Sequence, residues 1–171
     1  PQNGYIDWEG GNYNIRLDGA FPEGGVKIRV LADNTEIVSP YTITGSGISY
    51  DTKVTQNTTR SKRTIRFQYQ WEGKWVNIKE IDQAPPFINQ LTPGVFYSWE
   101  SAKEACEQRS GGWRMPTSEE LESLMWIWDK HPGWSRTGWV SNHKNARQNR
   151  NGYGFNIITD SRPNYYFCVK K

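Results

Sequence analysis

The apolar residues of this chain change their period at Ala84-Pro85-Pro86, and that change limits the fold more than any other feature. Before it they recur at every second position. In Arg63-Thr64-Ile65-Arg66-Phe67-Gln68-Tyr69, Ile65, Phe67 and Tyr69 fall on one face and Arg66 and Gln68 on the other, as a half-buried strand requires. Trp71-Glu72-Gly73-Lys74 reads as a turn, and Trp75–Ile81 as the returning strand of a hairpin. Runs at Tyr13–Leu17, Val26–Leu31, Tyr41–Thr44 and Lys53–Thr55 are separated by turns that are rich in Gly or contain Pro.

Short strands at such spacing predict an all-β, immunoglobulin-like sandwich over residues 1–84. Paired prolines favour a stiff, extended connection, so residues 85–90 read as a linker. Residues 91–171 form a second domain that opens with helices. Ser98 is placed to cap a helix, Glu100 complements its positive end, and Trp99, Ala102 and Cys106 make an apolar stripe that stops at Gly111-Gly112. Thr117-Ser118-Glu119-Glu120 is a capping box. Leu121, Leu124, Met125 and Trp128 follow at helical spacing, and His131-Pro132-Gly133 ends the run. The period then returns to two at Gly138–Ser141, Gly152–Thr159 and Asn164–Val169. Helices followed by strands predict an α+β domain.

Composition excludes several classes. The 171 residues give room for one ordinary domain or two small ones. No apolar run approaches the roughly 18 residues of a membrane helix, so a membrane-spanning protein is not expected. Nine Trp and nine Tyr are too many for a disordered chain. Residues 1–84 carry ten basic and ten acidic groups, whereas residues 130–171 hold eight basic groups against Asp160 alone. Such a one-signed tract favours anionic partners, although a solvated loop region would have the same composition. Cys106 and Cys168 can pair only with each other, and a bridge would suit an oxidising compartment. No signal peptide is visible before Pro1, so a removed targeting segment is expected.

The second half resembles the C-type-lectin-like fold. Trp99, Ala102 and Cys106 on the first helix look like that family's first half, and Tyr165-Tyr166-Phe167-Cys168-Val169 like its last strand, whose Cys pairs with the first-helix Cys. Gly112-Trp113-Arg114-Met115-Pro116-Thr117, continuing to Glu120-Leu121, is similar to the signature of a bacterial surface branch, the Fibrobacter succinogenes major paralogous (FISUMP) family. Gly138-Trp139-Val140-Ser141 and Cys168-Val169 match later parts of the same pattern. Trp113, Arg114, Pro116 and Thr117 read as scaffold residues, which leaves function to the loops. The first half resembles the BACON sandwich modules of Bacteroidetes surface proteins through Asn57-Thr58-Thr59, Arg63-Thr64-Ile65 and Ile81-Asp82-Gln83. Members of that family have been proposed to bind carbohydrate or to act as spacers. Asn57-Thr58-Thr59 also has the form of a glycosylation sequon.

In lectin-like folds the binding surface lies between the second helix and the last strands, which here means about residues 129–153. Trp134, Trp139 and Tyr153 offer flat apolar faces for sugar rings. Asn142, Asn145, Gln148 and Asn149 supply amides for hydroxyl groups, with His143 and Lys144 beside them. Arg136, Arg147 and Arg150 add planar recognition of carboxylate or sulfate. These residues are the predicted ligand site, for a glycan (an acidic one in particular) or a partner protein.

No cofactor is expected. The triplets with which calcium-dependent lectins hold their ion are missing, and Asp129 and Asp160 are too few carboxylates after the second helix for an oxygen cage. No nucleophile-elbow motif or reactive cysteine beyond the pair supports catalysis, so the chain reads as non-enzymatic. Nucleic-acid binding by the basic tract fits poorly with a disulfide and a surface-family likeness. The expectation is an extracellular bacterial surface adhesin, at a pilus tip or in glycan capture, or else a structural subunit of such an assembly.

Overall fold

The computed structural model describes residues 4–19, 21–44, 49–90, 98–128, 130–131, 137–140, 144–148, 155–158 and 166–170. The protein is β-rich and divides into two compact units, Pro1–Pro85 and Pro86–Lys171.

The regular elements described in the first unit are strands: β1 (Gly11–Arg16), β2 (Val26–Ala32), β3 (Thr35–Ile43), β4 (Ser49–Val54), β5 (Arg63–Trp71) and β6 (Lys74–Gln83). They form an antiparallel sheet in the order β3-β2-β5-β6 and a second antiparallel pair, β1-β4. The period-two pattern has its expected consequence. Val30 and Ala32 of β2 and Ile65 and Phe67 of β5 join Ile15 of β1, Val54 of β4 and Ile6 in one core cluster, so the two sheets pack across it. Phe67 is 1% exposed, and truncating a phenylalanine so buried costs about 3–5 kcal/mol.

On the opposite face the polar residues of alternate positions pair across strands. Arg29 Nε donates to Gln68 Oε1 at 2.8 Å, Gln68 Nε2 donates to Asn77 Oδ1 at 2.7 Å, and the Arg29 guanidinium lies 4.1 Å from the Trp75 ring centre. The β5–β6 hairpin turns at Glu72 and Gly73, both with positive φ (48° and 76°), the geometry of a two-residue type I′ turn.

The second unit contains β7 (Phe87–Gln90), α1 (Trp99–Glu107), β8 (Trp113–Arg114), α2 (Ser118–Ser123), α3 (Met125–Trp128), β9 (Thr137–Val140), β10 (Lys144–Gln148), β11 (Phe155–Ile158) and β12 (Tyr166–Lys170). Its strands form two antiparallel sheets, β7-β12-β8 and β11-β10-β9. Helix α1 packs against β8 and β12, and β9 lies beside β12. Ser98 caps α1 by accepting from Ser101 N, and the fully buried Ala102 and Cys106 face the interior, as the stripe predicts. Cys106 and Cys168 are bridged, with their Cα atoms 5.5 Å apart, which ties α1 to β12.

Three expectations need correction. Residues 85–90 are not a linker: Phe87–Gln90 is β7 and pairs with β12, and the backbone of Ala84 is hydrogen-bonded to Ile6. Only Pro85-Pro86 separates the last bonds of the first unit from the first strand of the second. The helix expected through Trp128 is interrupted at Leu124, which ends α2 with ψ near 0° before α3 begins. That break shifts the buried stripe to Leu121, Leu124 and Ile127, leaving Met125 half-buried. Finally, the segment read as a binding loop contains a strand, β10.

Candidate binding site

The two motif regions resolve into scaffold. In the second unit Arg114 grips Glu120 through Nη1 and Nη2, at 2.7 and 3.0 Å, while Arg114 Nη1 also donates to the Met115 carbonyl. Glu120 in turn accepts from Thr117 N, and Thr117 Oγ1 accepts from Glu120 N, which completes the capping box. Burial raises the Glu120 pKa, but the hydrogen bonds from Arg114 and Thr117 together outweigh it and hold the carboxyl below its usual range. The hydrogen bond to Glu120 raises the Arg114 guanidinium further. With Trp113, Met115 and Leu121 all buried, this stretch fixes the approach of α2 and offers no free carboxylate at Glu120.

In the first unit the corresponding residues form a buried polar knot. Gln83 is fully buried; its Nε2 donates to the carbonyls of Asp7 and Thr55, and its Oε1 accepts from Arg63 Nε at 2.7 Å. Arg63 Nη2 reaches the Thr55 carbonyl at 2.7 Å. Burial lowers the Arg63 pKa, against the opposing field of Asp33. Asn57 is also fully buried: Nδ2 donates to Ser61 O and Ala84 O, and Oδ1 accepts from the backbone N–H and hydroxyl of Thr59. The Asn57 sequon is therefore a turn whose amide is consumed by the fold, and the folded protein does not present it for modification.

The predicted ligand residues divide into three groups. Trp134, Arg136, Asn142, His143, Asn149, Arg150 and Tyr153 lie outside the described residues. Lys144, Asn145, Arg147 and Gln148 lie on β10, the middle strand of its sheet, the first three in register with Val140, Trp139 and Thr137 of β9 and Gln148 with Phe155 of β11. Trp139 is 1% exposed, which corrects its assignment as a sugar platform. A ring so enclosed belongs to the packed interior and has no face left for a ligand. Among the described residues no group of three or more His, Cys, Asp or Glu could hold a metal ion.

One concave site among the described residues was not anticipated. Past the Ile28–Tyr69 pair, where the inner face of the first unit runs out, Leu17, Asp18, Gly19, Phe21, Val26, Tyr69 and Trp71 line an open cleft of about 220 Å³. Trp71 is 48% exposed at the hairpin tip. Asp18 accepts from Arg16 Nε at 2.9 Å through Oδ1, and both side chains are largely in solvent. The sequence signal available was the alternation itself: Tyr69 and Trp71 continue the inward face beyond the residues needed to fill the core. The other walls come from a distant segment that no local pattern connects to them.

Compared with protein-family models, curated proteins and solved structures, the chain matches none.

Proposed function

We propose that this chain is a non-enzymatic binding protein of a bacterial cell surface, in which an immunoglobulin-like sandwich of the BACON kind carries a C-type-lectin-like domain of the FISUMP branch. The observation that carries this reading is the placement of Lys144, Asn145 and Arg147 on the middle strand of a sheet, with β9 of that sheet beside the disulfide-tied β12. Recognition residues work best where a rigid scaffold fixes them, and the bridge to α1 together with the Arg114–Glu120 clasp supplies that rigidity. The excess of basic groups over residues 130–171 favours an acidic glycan, with an acidic protein surface as the other partner class. The disulfide suits an extracellular location, and among the described residues no helix is long and apolar enough to cross a membrane.

A broad glycan-array screen of the wild type beside a Trp134→Ala, Arg147→Ala double variant tests the proposal. Selective binding of acidic glycans that the variant loses supports a lectin-type adhesin. Silence across the array moves the assignment to a protein partner or to a structural subunit of a surface assembly.

A further inference from the structure

The cleft in the first unit has a chemistry that the loop region of the second unit does not share. Three aromatic residues, Phe21, Tyr69 and Trp71, line it together with the aliphatic Leu17 and Val26, and Asp18 is the charged residue among them. Aromatic faces carry negative quadrupole density and attract cations, Trp most strongly. A carboxylate at the rim adds a full negative charge, so an anion is repelled twice. A sugar ring would need several directional partners for its hydroxyl groups. The lining side chains offer three polar groups, the Asp18 carboxylate, the Tyr69 hydroxyl and the Trp71 indole N–H, with no amide or guanidinium among them, whereas a cation needs rings and a single counter-charge.

Size narrows the choice further. Pockets for drug-sized ligands occupy about 300–1,000 Å³. At about 220 Å³ this cleft accommodates one long side chain, with a methylene stem along Leu17 and Val26 and a charged tip at the rim. The existing Arg16–Asp18 pair does not block that tip. Its side chains are 69% and 77% exposed, so the pair holds weakly, and it engages Oδ1 alone among the described residues. Gly19 leaves the adjoining rim open, since a Cβ there would meet nothing within 4 Å.

We propose that the cleft formed by Leu17, Asp18, Phe21, Val26, Tyr69 and Trp71 is a receptor pocket for one lysine or arginine side chain of a partner polypeptide. The pocket belongs to the first unit alone and does not depend on the reading of the second. Titrating the full chain with an acetylated, amidated glycine peptide bearing one central lysine tests it. The readout is the indole N–H resonance of Trp71, assigned with Trp71→Phe. The expected result is a saturable shift that weakens at least fivefold in Asp18→Asn and falls with added salt. An otherwise identical norleucine peptide should bind at least fivefold more weakly. Both altered side chains are exposed, so an unchanged amide spectrum elsewhere shows that the variants fold. Equal binding of the norleucine peptide would overturn the proposal in favour of a merely apolar groove. A Trp71 shift produced by a neutral methyl pyranoside and not by the lysine peptide would overturn it in favour of a sugar site. Absence of any shift would overturn it outright.

Discussion

The side-chain amide of Asn57 donates to the carbonyl of Ala84 at 3.0 Å, across 27 positions of sequence, inside a site from which water is excluded. The same amide group satisfies Ser61 O, Thr59 N and the Thr59 hydroxyl. Asn57→Ala should therefore destabilise the first unit by about 3 kcal/mol, because the buried Ala84 carbonyl loses its partner and the part-buried Ser61 O and Thr59 N lose theirs with it. Asn57→Asp should be at least as damaging, since a carboxylate cannot donate to Ser61 O and Ala84 O. Urea unfolding of both variants, followed by far-UV circular dichroism, measures the losses.

The type I′ turn of the β5–β6 hairpin holds a glutamate at φ 48°, where L residues other than Asn and Asp are disfavoured. Glu72→Asn creates the Asn-Gly pair that this turn prefers and should stabilise the unit by about 0.5–1 kcal/mol. Gly73→Ala should destabilise it by a similar amount. Thermal melts of the two variants should move in opposite directions.

Glu120 titrates lower in the folded chain than its ordinary value of 4.5. A depressed carboxyl contributes stability that is complete above the unfolded pKa and lost as pH falls through the folded one. The second unit should accordingly weaken as pH drops below about 4.5, and Glu120→Gln should flatten that part of the stability–pH curve while lowering stability at neutral pH. Denaturant titrations between pH 3 and 7 check both the slope and its loss.

The Cys106–Cys168 bridge closes a loop with a sequence separation of 62, which the chain-entropy model values at about 4 kcal/mol. Replacing both cysteines by serine should lower the stability of the second unit by about 2–5 kcal/mol and leave the first unit's transition where it was. Intact mass after alkylation without reductant should show no free thiol in the wild type.

Limited proteolysis should spare residues 84–87. Ala84 is held by Ile6 and Asn57, and Phe87 begins a paired strand, so a protease finds no extended stretch to bind there. Mass analysis of the first fragments locates the cuts.

What could be read directly from the chain was what local physics encodes. Alternation marked β5 and β6, Glu72-Gly73 marked their turn, and the Ser98 and Thr117 caps marked the starts of α1 and α2. Elements whose reason lies elsewhere were missed. Lys144-Asn145-Ala146-Arg147-Gln148 has no apolar alternation, and its extended state comes from ladder bonds to β9 and β11 on both sides. Phe87–Gln90 was obscured by the prolines before it, although its own register with β12 makes it a strand. Trp139 reads as a surface residue from its sequence context because Trp serves both cores and ligands, and only the fold decides which. The aromatic cleft draws its walls from Leu17–Phe21, Val26 and the Tyr69–Trp71 end of β5, a convergence that no single stretch announces.

The order of strands also imposes an order of events. The larger sheet of the first unit is complete once residue 83 has been made, so this half can close while later residues are still being synthesised. The second unit cannot do the same, because β12 is the middle strand of the sheet β7-β12-β8 and carries the partner of Cys106. Until Tyr166–Lys170 arrives, β7 and β8 have no strand between them and the Cys106 thiol has no mate. A chain that stalls before Tyr166 would expose an unpaired sheet and a reactive thiol beside a finished first unit, a state that quality-control proteases could tell apart from the mature protein.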